Sequence, residues 1–128
     1  MSPKKEIVIC SNAPKPLGPY SVANKIGNLV FTAGQTGLDP ITNELAPGGI
    51  EAETRQALTN IKHVVEAAGS SMDMVVKTTV FLRDMNDFSR MNGVYAEFFK
   101  DGFPARTTVQ AALPRNGAVE IEVIAALP

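Results

Sequence analysis

The sequence predicts an α+β domain in which one sheet is covered on one face by two helices, in the order β-β-β-α-β-α-β-β. Three observations carry that expectation. Apolar residues recur at three-and-four spacing in only two stretches. The other apolar runs are short, rich in β-branched residues and bounded by Gly, Pro, Asn or Asp. The chain has 128 residues, 45% of them hydrophobic and 20% charged. That is the size of one domain, residues 1–128, able to bury roughly two-thirds of its unfolded surface without disulfides or metal.

The first strands are Glu6 to Cys10, Ser21 to Ile26 and Leu29 to Thr36. Gly27-Asn28 reverses the chain between the last two, and Pro14, Pro16, Gly18 and Pro19 make an ordered loop before them. Helix follows over Glu51 to Ala68, where Ala57/Leu58, Ile61, Val64/Val65 and Ala68 share one face and Gly69 supplies the stop. Glu51, Glu53 and Arg55 begin it on the polar side, and the two carboxylates favour its positive end. Met74 to Leu82 reads as a strand by its β-branched content. In the second helix Phe88, Met91, Tyr95 and Phe98/Phe99 form a core stripe, Asn86 or Asp87 caps the start, and Gly102 with Pro104 ends it. The last strands are Arg106 to Ala112 and Ala118 to Ala126. Strands flanking each helix should run parallel. Asn116-Gly117 signals a hairpin between the last two, while a longer connection would carry the final strand into the middle of the sheet. Both sheet faces carry apolar residues and only two helices exist to cover them, so one face calls for a further partner.

Composition narrows the chemistry. A formal charge of −1 offers no positive field to gather phosphate backbones, so nucleic-acid binding is disfavoured. One cysteine rules out an intrachain disulfide and a multi-cysteine zinc site, and points to a reducing, cytoplasmic setting. The amino terminus lacks the apolar stretch of a signal peptide, and no run has the length needed to cross a bilayer. The only histidine, His63, falls inside the first helix, which argues for a packed imidazole over an acid/base pair or triad. Cys10 reads as a small buried hydrophobe. Gly34-Gln-Thr-Gly37 lacks the spacing and lysine of a phosphate loop.

The carboxyl-terminal third is more informative. Strand alternation puts Arg106, Thr108 and Gln110 on one face, and sets Glu120 and Glu122 together with Val119, Ile121 and Val123 behind them. Arg106 either pairs with one of those glutamates or recognises a substrate carboxylate through two parallel hydrogen bonds while a glutamate handles a water. Tyr20, in a loop where no periodic face demands a large ring, reads by itself as structural, with a functional role as the alternative.

Gly18-Pro-Tyr-Ser21, Phe31-Thr-Ala-Gly-Gln35, Val76-Lys-Thr-Thr-Val-Phe-Leu82, Asn92-Gly-Val-Tyr95, Phe103-Pro-Ala-Arg106 and Val119-Glu-Ile-Glu122 together span the chain. In these motifs it resembles the reactive-intermediate deaminase family (Rid, or YjgF-type), formerly described as perchloric-acid-soluble translation inhibitors and endoribonucleases. The resemblance implies a chorismate-mutase-like fold with a mixed six-stranded sheet, the final strand inserted between the third and fourth and the fifth at the edge. It implies a homotrimer with a central barrel and clefts between subunits. It also implies hydrolysis of 2-imino acids to 2-oxo acids and ammonia, a metabolite damage-control activity that needs no cofactor and no metal. By the same resemblance Arg106 anchors the substrate carboxylate and Glu120 activates the attacking water. Tyr20, Ala33, Gly34 and Asn92 line the cleft, and the Thr108 carbonyl holds the water. Many members carry Cys in place of Thr108 and Ser in place of Ala33, which alters or removes any thiol or hydroxyl role there.

Two rival readings use the same residues. A regulatory module would bind a small carboxylate in the cleft without turnover, and a ribonuclease would cleave RNA. The joint presence of Arg106 and Glu120 favours the enzyme over the sensor. Near-neutral charge and the helical setting of His63 count against the ribonuclease.

Overall fold

Both three-and-four stretches are helical in the computed structural model, which describes residues 4–128. Residues 1–3, the start of the amino-terminal segment read above, lie outside the described residues. In chain order the elements are β1 (Glu6–Val8), β2 (Ala23–Ile26), β3 (Leu29–Thr32), β4 (Gln35–Thr36), α1 (Ile50–Ala67), β5 (Val75–Leu82), α2 (Phe88–Ala96), β6 (Ala105–Gln110) and β7 (Val119–Ala126). Short 3-10 turns sit at Met72–Met74, Met85–Asp87 and Pro114–Asn116.

The sheet order is β1-β2-β3-β7-β5-β6, with β4 also paired to β7. The final strand therefore runs through the middle, antiparallel to β3 and β5, and β6 forms an edge parallel to β5. This is the insertion that the family resemblance implies, and the hairpin signalled by Asn116-Gly117 does not form. Arg115 and Asn116 take the left-handed conformation (φ 56° and 55°) in a turn of their own, while Gly117 sits at φ −62°. The expectation of parallel neighbours holds around α2. The strands flanking α1, β4 and β5, share a direction but are separated by β7, to which both are antiparallel.

One predicted strand breaks. Leu29 to Thr36 is β3 and β4 with Ala33-Gly34 between them. Phe31 faces Ile124 and Gln35 faces Ile121, so four steps on one side match three on the other, and the extra residue bulges. The Ala33 N–H donates to the Val22 carbonyl at 2.8 Å, and on the β7 side the Thr32 hydroxyl accepts the Val123 N–H at 3.0 Å. Beyond the bulge the parity of the strand is reversed.

Ala57, Leu58, Ile61, Val64 and Val65 of α1 are fully buried against Val30, Val80, Leu82, Val119 and Ile121 of the sheet. Glu53 departs from the expected polar side. It is 8% exposed, and its carboxylate accepts the Ala118 N–H at 2.9 Å, fastening the start of β7 to the helix. Glu51 and Arg55 stay outside, and Arg55 pairs with Glu97 at 2.8 Å to tie the two helices. α2 stops at Ala96, well short of Gly102; Asp87 takes its N-cap position without a side-chain bond, and Asp84 caps the 3-10 turn before it by accepting the Asn86 N–H. The opposite sheet face has no cover among the described residues: Ile7, Phe31 and Val109 are 63%, 40% and 42% exposed there.

Candidate functional site

Strand register decides which site residues meet. Thr78 of β5 lies opposite both Arg106 of β6 and Val123 of β7, while Thr79 and Phe81 lie opposite Glu122 and Glu120. Side chains alternate along each strand, so Arg106 stands on the helix-covered face and Glu120 on the uncovered one. The expected pairing of Arg106 with Glu120 or Glu122 is therefore excluded within one chain. Among the described residues no carboxylate lies within ion-pair distance of Arg106.

Aromatic rings take that place. Phe88, Asn92 and Tyr95 recur at i, i+4 and i+7 on α2, the spacing of one helical face. The Arg106 guanidinium carbon lies 4.7 Å from the Tyr95 ring centre and 5.4 Å from that of Phe88. Tyr95 is held in turn by a buried 2.7 Å hydrogen bond between its hydroxyl and that of Thr78. Burial raises the Tyr95 pKa, against the opposing pull of Thr78 and Arg106. Beside this stack opens a cleft of about 470 Å³ lined by Asn92, Tyr95, Ala96, Phe103, Pro104 and Arg106. The Asn92 side-chain oxygen is buried with no hydrogen-bond partner among the described residues. Thr108 follows Arg106 on the same face, half-buried and outside that lining.

A second group assembles on the Glu120 side. Tyr20, Gly34 and Glu120 share a small cavity of about 60 Å³ with Pro14, Thr36 and Pro114. The Tyr20 hydroxyl accepts the Leu17 N–H at 3.1 Å, so the ring holds its own loop closed. Burial first, and the charge of Glu122 second, raise the Glu120 pKa above the ordinary carboxylate range. Ala33 sits in the bulge and lines neither cavity. Gly34 explains why the bulge carries no side chain at that point: a Cβ there would stand 2.8 Å from the Glu120 Cδ. Because the obstructing group is the end of a movable side chain, Gly34→Ala is expected to leave the melting temperature nearly unchanged while turning Glu120 into solvent. Carbon-detected NMR titration should then show its pKa falling back toward that of a free glutamate.

The predicted site residues thus fall into two groups, Arg106 with Asn92 and Glu120 with Tyr20 and Gly34. Phe88 and Tyr95 were read as core stripe, and the signal that separates them from plain core is their i, i+4, i+7 phase with Asn92. His63 is half-buried with its Nδ1 3.0 Å from the Asn12 carbonyl, in keeping with a packed imidazole. Cys10 is partly exposed rather than buried, and its thiol donates to the Asn12 side-chain oxygen at 3.1 Å. Among the described residues no group of three or more His, Cys, Asp or Glu side chains is placed to hold a metal ion, and no helix is long and apolar enough to cross a membrane.

Residues 10–127 match the family described as endoribonuclease L-PSP. A RutC family protein of Pyrococcus horikoshii is 53% identical over 122 residues, covering 94% of this chain and 97% of the relative. A 2-iminobutanoate/2-iminopropanoate deaminase of Dermatophagoides farinae is 51% identical over 125 residues, covering 97% of each. Among solved structures, E. coli TdcF with bound serine superposes with a TM-score of 0.91 at 39% identity, covering 96% of this chain and 99% of that one. With fold and sequence agreeing over nearly the whole length, the chain belongs to the endoribonuclease L-PSP family, the family of the Rid and YjgF-type proteins.

Proposed function

We propose that the chain is a 2-iminobutanoate/2-iminopropanoate deaminase of the cytoplasm, hydrolysing reactive 2-imino acids at clefts that neighbouring subunits of a homotrimer build together. The observation that carries this reading is the division of the site. Arg106 and Glu120 occupy opposite faces of one sheet, each with its own part of the expected lining, so two protomers are needed to set both against one substrate. An uncovered sheet face with exposed Phe31 and Val109 supplies an apolar surface for that assembly. Relatives about half identical to the chain bear the deaminase name, and serine, bound in a structural neighbour, has the α-carboxylate of the proposed substrate.

The chemistry asks little of the protein. An imine carbon is electrophilic, above all when its nitrogen is protonated, and needs chiefly a held carboxylate and a placed water. Arg106 takes the carboxylate through two N–H donors. Glu120 accepts a proton from water as its oxygen bonds to C2, giving a carbinolamine. Glu120 returns that proton to the nitrogen and then takes the hydroxyl proton as the C–O bond becomes a carbonyl and the C–N bond breaks, releasing ammonia and the 2-oxo acid. The raised pKa makes the Glu120 carboxylate a stronger base toward that proton than an ordinary glutamate.

The test couples the protein to threonine dehydratase, which releases 2-iminobutanoate, and follows 2-oxobutanoate. Wild type is expected to accelerate its formation and Arg106→Ala to lose roughly 10²-fold or more, the worth of two charge-assisted hydrogen bonds. Arg106→Ala and Glu120→Gln subunits, each inactive, are then unfolded and reassembled together. Random mixing gives about a quarter of sites an intact pair, because each mixed ring contains one interface joining a native Arg106 to a native Glu120. Recovery of activity supports the shared cleft, and no recovery places both residues in one protomer's site. Binding of 2-oxobutanoate without turnover by wild type would instead establish the sensor.

A further inference from the structure

We propose that Tyr95 is a positioning residue for substrate binding: its ring face, braced by Thr78, holds the Arg106 guanidinium flat so that its in-plane donors meet the substrate carboxylate already aligned. This rests on the reading of Arg106 as the carboxylate anchor and adds how the anchor is kept in place. An arginine at the end of an edge strand has four rotatable bonds, and ordering them on binding weakens affinity. Proteins usually fix such a side chain with a carboxylate, but a carboxylate would occupy the donors that the substrate needs. An aromatic platform avoids that conflict. It engages the face of the guanidinium and leaves the edge, with its N–H groups, free.

The contacts close into a triangle. Arg106 is the register partner of Thr78, Thr78 hydrogen-bonds Tyr95 at 2.7 Å, and the Tyr95 ring centre lies 4.7 Å from the Arg106 guanidinium carbon. The platform cannot swing away. Tyr95 is 4% exposed, and its ring lies against Phe99 with centroids 4.8 Å apart. Phe88, 5.4 Å from the same guanidinium carbon, extends the aromatic surroundings.

The experiment measures calorimetric affinity for 2-oxobutanoate, together with kcat/KM in the coupled assay, on variants shown to be folded and trimeric by melting and sedimentation. Tyr95→Leu is expected to weaken binding about tenfold, and Tyr95→Phe, which keeps the ring face but loses the Thr78 brace, to recover part of that loss and stay a few-fold weaker than wild type. A merely structural role would lower the melting temperature of Tyr95→Leu and leave the affinity of the folded protein unmoved. Wild-type affinity in folded Tyr95→Leu overturns the proposal, and so does Tyr95→Phe binding as weakly as Tyr95→Leu. Should Tyr95→Leu fail to assemble, Thr78→Val decides instead, a several-fold loss supporting the brace and no loss overturning it. Arg106→Ala, run in parallel, separates the two claims. If it loses affinity while Tyr95→Leu does not, the platform alone fails; if it binds and turns over as wild type does, the anchor fails and the platform with it.

Discussion

Glu120→Gln is expected to lose turnover by roughly 10²–10⁴-fold, the usual worth of a positioned general base, and at the same time to melt at a higher temperature than the wild type at neutral pH. The two effects have one origin. Burial and the neighbouring Glu122 charge raise the carboxyl pKa in the folded chain, so the folded state binds this proton more tightly than the unfolded state does. Stability linked to this group is therefore fully present below the unfolded pKa and declines as pH rises through the folded pKa. At pH 7 the wild type bears the cost of a half-buried charge, and a neutral amide of the same shape does not. Below the ordinary glutamate range the carboxyl is protonated in both states, and the two proteins should converge. Melting curves from pH 3 to pH 8 check the convergence, and the coupled assay over the folded part of that range should show wild-type activity falling on the acid side as Glu120 gains its proton. A variant that is inactive and no more stable than wild type at pH 7 would contradict the cause assigned to the raised pKa.

Gly37→Ala, only three residues from Gly34, is expected to do the reverse and strike the fold. A Cβ at Gly37 would lie 2.6 Å from both the Cα and the carbonyl oxygen of Glu53 in α1, backbone atoms with no rotamer to escape through. The helix is also pinned at this place. Asn60 donates to the Thr36 and Leu38 carbonyls at 3.2 and 2.8 Å, and Glu53 holds the Ala118 N–H. Moving α1 outward strains all three bonds together, so the loss should reach about 3 kcal/mol, the upper part of the usual range for overpacking. In a domain of this size that is a fall of roughly 10 °C in Tm. Calorimetry of Gly34→Ala and Gly37→Ala side by side checks it, since only the second should melt early.

These glycines show where sequence reasoning stops. That Gly34-Gln-Thr-Gly37 is no phosphate loop was legible from its spacing. That one glycine makes room for a carboxylate and the other for a helix backbone depends on elements many residues away. The helical face of α1 and the alternation of β5 and β7 are written in local periodicity and emerge with boundaries shifted by a residue or so. The parity of each strand was equally legible, placing Arg106 with Thr108 and Glu120 with Glu122. What periodicity lacks is the phase of one strand against another, and a single step across β5 moves Arg106 and Glu120 from partners to opposite faces. Asn116-Gly117 misled for a related reason, since a turn propensity is local and the central place of β7 is set by the core residues it brings to β3 and β5. Tyr95 stayed hidden because one ring both fills the core and supports an arginine.

The place of β7 also governs how the molecule is made. Among the described residues it is the last element in chain order and the strand that joins β3 to β5. Until the ribosome has produced Val119 to Ala126, the nascent chain contains two separate ribbons, β1-β2-β3 and β5-β6, each with an unsatisfied edge. Pairing within those ribbons needs only residues made before β7, but the sheet itself closes last, through contacts some ninety residues apart such as Thr32 with Val123. The nascent form is therefore the one most exposed to edge-to-edge association, and a single late insertion ends that exposure on both ribbons at once.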